Sequence, residues 1–135
     1  MPRLHVLAVS ARLPDWAEAA CADYAKRMPK GYEVQRLNLK TEARVPAAVP
    51  KGARLIALDE RGKDMTTEQF AMLLQAPGAF VIGGADGLSR ETKAAADLLL
   101  RLSALTLPHA IAQVVLLEQM YRGATLLAGH PYHRR

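Results

Sequence analysis

Apolar residues in this chain fall in short dense blocks, set between stretches whose apolar positions recur with a helical period. Leu4–Val9 is the first block and predicts a strand. Pro14-Asp15 then opens a helix to about Met28, with Trp16, Ala19, Ala20, Tyr24 and Arg27 at helical spacing, and Pro29-Lys30-Gly31 ends it. Glu33–Leu39 carries Val34, Leu37 and Leu39, with Arg36 out of pattern, and predicts a second strand. Lys40–Ala53 holds Pro46, Pro50 and Gly52, which break any long helix, so it reads as a loop.

Arg54–Leu58 has the make-up of a buried strand and runs into Asp59-Glu60-Arg61-Gly62-Lys63, read as a charged turn. Thr66 or Thr67 caps a helix to about Gln75, and Pro77-Gly78 breaks it. Ala79–Ile82 is another apolar strand, ending at Gly83-Gly84. Ser89 caps a helix that includes Lys93–Asp97, and Leu98–Leu107 reads as a helix end followed by an extended Leu102–Thr106. Pro108 takes a first helical position, and a helix runs to about Ala128, where Gly129 and Pro131 stop it. Short strands, apolar on both faces and separated by helices, predict an α/β fold: a parallel-rich sheet covered by helices on both faces. Without repeats, low-complexity stretches or linkers, residues 1–135 are expected to form a single domain.

The last helix is apolar nearly all round, through Ile111, Val114, Val115, Leu116, Leu117, Met120, Tyr121, Leu126 and Leu127. A surface helix shows one polar face, so burial against a second copy of the chain is expected. The alternative is a central helix within one subunit.

Composition narrows the class. The chain is 50% apolar and 23% charged, as in ordinary soluble globular proteins. One cysteine, Cys21, excludes an internal disulfide framework and fits a reducing compartment. The N-terminal apolar run is too short for a secretory signal, and no stretch is long enough to span a bilayer. A cytoplasmic protein with no membrane partner is expected. The net charge of +5 favours phosphate-bearing partners only weakly. Placement says more: from Arg101 onward there are four arginines, and Glu118 is the one acid.

Three segments are candidates for chemistry. Gly83, Gly84 and Gly87 follow a strand, where ligands gather in open α/β sheets and where glycine lets backbone approach a ligand. Their spacing matches neither the dinucleotide fingerprint nor the phosphate loop, and a tight turn without a ligand has the same pattern. Leu102–Leu107 has only Ser103 and Thr106 as polar side chains. It binds, if at all, through main-chain groups and an apolar wall, which suits an adenine ring; a plain buried strand is the alternative. The tail His130-Pro131-Tyr132-His133-Arg134-Arg135 offers a ring to stack on a base, cations for phosphate and a histidine that can move a proton near neutral pH. An uninvolved tail is its alternative. Metal is disfavoured, because no cysteine pair or carboxylate cluster accompanies the histidines. His109, at a helix start, reads as structural. Ser89 and Ser103 lie in no nucleophile-elbow pattern, and the nearest acid, Asp97, falls on a predicted helix, so a hydrolase is discounted.

Six stretches together resemble a known family: Val6-Leu7-Ala8-Val9 with Pro14-Asp15-Trp16, Leu58-Asp59-Glu60-Arg61-Gly62-Lys63, Ile82-Gly83-Gly84-Ala85-Asp86-Gly87-Leu88-Ser89, Leu102–His109, Glu118-Gln119-Met120-Tyr121-Arg122, and His130-Pro131-Tyr132-His133-Arg134. In order and over nearly the whole chain, they resemble the ribosomal RNA large-subunit methyltransferase H family, within the SPOUT class of knotted methyltransferases. The resemblance implies S-adenosylmethionine as methyl donor, no metal, and methylation at N3 of a pseudouridine in 23S rRNA on the assembled ribosome. It also implies a homodimer and a C-terminal trefoil knot. Cofactor contacts carry over to Leu58, Gly83, Leu102, Ser103, Ala104, Leu105, Thr106 and Leu107. N3 lies between two carbonyls and must lose a proton, so the reaction calls for a base and a nearby positive charge. His133 or His130 is expected as proton acceptor, Tyr132 for base stacking, and Arg122 and Arg134 for phosphate or anion stabilisation. A non-catalytic RNA- or nucleotide-binding module, and a related enzyme acting on another RNA base, are the competing readings. One departure stands out: the family's connection between second and third strands is longer than Lys40–Ala53.

Overall fold

The computed structural model describes residues 3–9 and 12–133. Five strands, β1 (Leu4–Val9), β2 (Val34–Leu39), β3 (Arg54–Asp64), β4 (Gly78–Ile82) and β5 (Leu98–Arg101), pair in the order β2-β1-β4-β3-β5, every neighbour parallel. Five helices connect or follow them: α1 (Asp15–Arg27), α2 (Val45–Ala48), α3 (Thr67–Leu73), α4 (Arg90–Ala95) and α5 (His109–Ala128). The central strands β1 and β4 are buried at every position, which explains their unbroken apolar composition.

Side-chain alternation sends Leu4, Val6, Ile56, Phe80 and Leu100 to one face of the sheet. There they meet Cys21 of α1, Phe70 of α3, and Leu116, Leu117 and Met120 of α5. Leu7, Val9, Leu55, Ala57, Ala79 and Val81 point the other way, under Val45 of α2 and Leu88. Thr66, not Thr67, caps α3. Its Oγ1 accepts from Gln69 N–H at 3.1 Å, while its own N–H donates to Gln69 Oε1 at 2.9 Å. No helix among the described residues is long and apolar enough to cross a membrane.

Several expectations are corrected. The charged stretch after Leu58 is no turn: β3 continues through it to Asp64, and its register with β5 shifts between Leu58 and Lys63. A Cβ on Gly62 would stand 2.7 Å from the backbone of Leu100, so only glycine allows that approach. The bidentate Arg101–Asp64 ion pair, at 2.6 Å, then fixes the end of the pairing. Residues 40–53 hold a 3-10 turn (Glu42–Arg44) and the short α2, because Pro46 sits in a first turn where no N–H is required. The strand expected at Leu102–Thr106 lies earlier, at Leu98–Arg101, and residues 102–107 form no regular element. Asp97 determines that: it lies past α4, its N–H donates to Leu55 O at 2.8 Å, and its carboxylate accepts from Leu55 N–H at 2.7 Å. Pro108 is the N-cap of α5 rather than its first residue. Finally, α5 packs against both α1 and α3, and this chain alone buries Leu116, Leu117, Met120, Tyr121 and Ala124. Most of its apolar surface is met as a central helix within one subunit.

Candidate active site

The middle of β3, the carboxyl end of β4 and the segment after β5 converge on the first turn of α5. Between them lies a cleft of about 660 Å³. Leu58, Asp59 and Glu60 form one wall, Ile82 with the glycine turn a second, residues 102–107 (except Ala104) a third, and His109 with Ala112 close it.

The glycine turn is tight. A Cβ on Gly83 would stand 2.6 Å from the carbonyl carbon of Gly87. Gly87 itself has φ +74°, and its N–H donates to Gly84 O at 3.0 Å. His109 secures this turn to α5, with Nδ1 2.7 Å from Gly83 O. A carbonyl only accepts, so Nδ1 carries a proton and donates it to that bond. The other ring nitrogen, Nε2, is buried and has no partner among the described residues.

Residues 102–107 have a different character. Among the described residues, no backbone–backbone hydrogen bond reaches them; Leu105 N–H donates to Ser103 Oγ at 2.9 Å. A run of main-chain donors and acceptors without partners, beside an apolar cleft, is a recognition surface of peptide groups.

Charge in the cleft is uneven. Asp59 pairs with Lys93 at 3.2 Å, and Arg101 pairs with Asp64. Glu60 is exposed at the mouth and has no partner among the described residues. A chain of net charge +5 therefore presents a cleft with an uncompensated negative charge. Among the described residues, no three His, Cys, Asp or Glu side chains group to hold a metal ion.

The tail residues lie elsewhere. Arg122 pairs with Glu118 at 2.8 Å, and Tyr132 OH donates to the same carboxylate at 3.0 Å. Tyr132 also meets Tyr121 edge-on, with ring centroids 4.5 Å apart, and the Arg122 guanidinium lies 5.0 Å from its centroid. Burial, then hydrogen bonds with Tyr24 and Glu118, push the Tyr132 phenol well above its ordinary range. His130 is exposed, its N–H donating to Thr125 O at 2.8 Å. His133 ends the 3-10 turn Pro131–His133, and Arg134 lies outside the described residues.

Thus Leu58, Gly83, Leu102, Ser103, Leu105, Thr106 and Leu107 meet around one cleft, and Ala104 does not line it. Arg122 and Tyr132 meet at Glu118, about 14 Å along α5 from His109, while His130 lies beyond the C-terminal end of that helix, about 30 Å from its first turn. Sequence reasoning missed Asp59 and Glu60 as cleft residues, because the stretch after Leu58 reads as a charged turn, and Arg101, because it falls where a helix end is expected.

The comparisons agree with this geometry. The family model described as "Predicted SPOUT methyltransferase" matches residues 2–133. A protein of Paraburkholderia xenovorans named ribosomal RNA large subunit methyltransferase H is 47% identical over 154 aligned positions, covering 98% of this chain and 99% of the relative. A Polynucleobacter asymbioticus protein of the same name is 47% identical over 145 positions, with the same coverage. Both alignments run longer than this chain, so both relatives carry residues with no counterpart here. Among solved structures, TrmJ from Z. mobilis superimposes with a TM-score of 0.63 at 17% identity, covering 91% of this chain and 70% of its own, a likeness of fold. A match of this extent, on a parallel sheet whose strand ends hold a glycine turn and an open main-chain segment, places the chain in the SPOUT methyltransferase family.

Proposed function

We propose that this protein methylates 23S rRNA at N3 of a pseudouridine, with S-adenosylmethionine as donor. The observation that carries the reading is the main chain of residues 102–107, which makes no backbone–backbone hydrogen bond among the described residues and borders a cleft that keeps a negative charge within a basic chain. The relatives' shared name supports rRNA as the substrate.

The cleft suits that donor. Main-chain N–H and C=O groups of residues 102–107 can match an adenine edge, and Leu58, Ile82 and Leu107 supply apolar walls. Glu60 favours a positively charged ligand. S-adenosylmethionine, when bound, supplies a methyl group on a positively charged sulfur. His109 and the glycine turn keep the pocket in shape, so the acceptor nitrogen meets a fixed direction of attack.

The proton of N3 needs an acceptor; in the cleft wall, His109 has its Nδ1 engaged with Gly83, Asp59 is paired with Lys93, and Glu60 is suited to the cationic ligand. His130 or His133 takes that role, with Arg122 and Arg134 stabilising phosphate or the developing anion. Arg122 stands about 20 Å along α5 from the cleft of its own chain, and His130 about 30 Å. A homodimer, in which the tail of one copy approaches the cleft of the other, resolves the separation. For Tyr132 to stack on a base, it must give up its contact with Arg122. The reading includes a single domain, the knotted C-terminal half of the class and a cytoplasmic site of action.

Mass mapping of rRNA from a strain lacking the protein tests the reaction. Loss of one N3-methylated pseudouridine from 23S rRNA is expected, and an unchanged pattern refutes it. Calorimetry with S-adenosylmethionine tests the donor separately, since a simple RNA-binding module gives no heat. Deletion of residues 130–135 should abolish methylation of ribosomes and leave donor affinity unchanged.

A further inference from the structure

A second cavity, about 340 Å³, adjoins the donor cleft. Ala8 and Gln113 line it. Ala8 pairs in register with Ile82, and Gln113 follows Ala112; Ile82 and Ala112 both line the first cleft. The two cavities therefore flank the first turns of α5 at the same end of the sheet.

Its polar groups are unusually placed. Gln113 of α5 is 3% exposed, and its Oε1 has no partner among the described residues. Arg36 engages the Glu18 carboxylate with both terminal nitrogens, each at 2.9 Å, which leaves its Nε buried and without a partner. Asn38 stands two residues along β2, on the same face as Arg36. Arg12, at the rim, is exposed and has no partner among the described residues. Buried polar atoms without partners are few in folded proteins, and each calls for an explanation. Two at one cavity point to a ligand that completes them. Neither serves the donor cleft, and leucine at position 113 would pack there without desolvating an amide.

The chemistry selects the ligand class. A uracil-type base presents carbonyl, N–H and carbonyl along one edge, so it needs donors and an acceptor side by side. Two amides provide both, since a half-turn of each exchanges its oxygen and nitrogen. Arg36 Nε–H adds a donor, and Arg12 offers a charge for phosphate. The volume suits one pyrimidine nucleotide. The basic tail of a second copy is a poor occupant, because Arg134 and Arg135 would face Arg12.

We propose that this cavity receives one uracil-type nucleotide of the acceptor RNA, with the amides of Gln113 and Asn38 reading the base and Arg12 holding its phosphate. The proposal rests on the RNA methyltransferase reading and makes these positioning and specificity residues.

Nuclear magnetic resonance of the nitrogen-15-labelled full chain tests it, with uridine 5′-monophosphate as probe and adenosine 5′-monophosphate as control. The side-chain amide signals of Gln113 and Asn38, assigned from Gln113→Leu and Asn38→Leu, should shift saturably with the uridine nucleotide and much less with the adenosine nucleotide. Gln113→Leu should weaken uridine nucleotide binding by about five- to tenfold, as expected for one lost hydrogen bond, and leave S-adenosylmethionine heats unchanged. Amide signals that stay still at millimolar nucleotide, or move equally for both, overturn the proposal. Signals that move with protein concentration alone also overturn it, by making the cavity an interface between copies. Absence of heat with S-adenosylmethionine would instead defeat the donor reading, so the two failures are distinct.

Discussion

Replacing Gly83 by alanine probes whether the glycine turn is a rigid wall of the cleft. The new Cβ would stand 2.6 Å from Gly87 C, 2.8 Å from Gly87 O and 2.9 Å from Leu88 N. All three are backbone atoms, so no side-chain rotation relieves the clash; the turn itself must move. Overpacking of this kind costs about 1–3 kcal/mol. At roughly 2.1 cal/mol/K of unfolding entropy per residue, a chain of 135 residues loses its fold with about 0.3 kcal/mol/K. The unfolding midpoint should therefore drop by roughly 3–10 °C. The same shift displaces the Gly83 carbonyl that His109 holds at 2.7 Å, and S-adenosylmethionine affinity should fall by about tenfold or more, equivalent to about 1.4 kcal/mol. Gly78→Ala is the control. Its Cβ meets Phe80 and Ile56 side-chain atoms at 3.5 and 3.6 Å, ordinary contact at the end of β4 away from the cleft. That variant should stay within about 1 kcal/mol of the parent and bind the donor normally. Circular dichroism melts and titration calorimetry read both quantities. A Gly83→Ala protein that melts and binds like the parent would show that the turn gives way freely, and the description of the cleft as preformed would fail.

Three further outcomes follow from local contacts. Burial alone would raise the Glu42 carboxyl, but hydrogen bonds from Ser89 and Thr92 hold it below the usual range; such a group stabilises the fold above its unfolded pKa and loses that effect as pH falls, so the melting gap between parent and Glu42→Gln should close below about pH 4. Thr66→Ala removes the capping box of α3 and should cost about 1 kcal/mol in urea unfolding, while a cost near zero would mean the box adds nothing. Because burial and its hydrogen bonds keep the Tyr132 phenol protonated, parent and Tyr132→Phe should show equal phenolate absorbance up to about pH 11; excess absorbance in the parent would contradict that packing.

Local patterning revealed much of this fold. The fully apolar β1 and β4, the α1 end at Arg27 before Pro29, and the Gly129 stop of α5 each follow from a few adjacent residues. The two misread strands share a cause: each was decided by a residue distant in sequence. The charged end of β3 became a strand because Gly62 lets it cross the Leu100 backbone and Arg101 clamps Asp64. Leu98–Arg101 became β5 because Asp97 is tied to Leu55, 42 residues earlier. At the site, the chemical quiet of residues 102–107 was readable, since side chains that cannot react leave only main chain to bind. The role of Glu60 was hidden by the misread turn, and the distance from cleft to tail by the path of α5.

That distance shapes how so small a chain can serve a large RNA. The cleft carries an uncompensated carboxylate, suited to a cationic ligand, while the sequence ends on Arg134 and Arg135. A basic tail folded over its own cleft would pair with Glu60 and oppose a cationic ligand. His130, where the tail begins, lies past the C-terminal end of α5, a helix of about 30 Å whose first turn borders the cleft. In the homodimer proposed above, the tail of one copy would instead reach the cleft of the other.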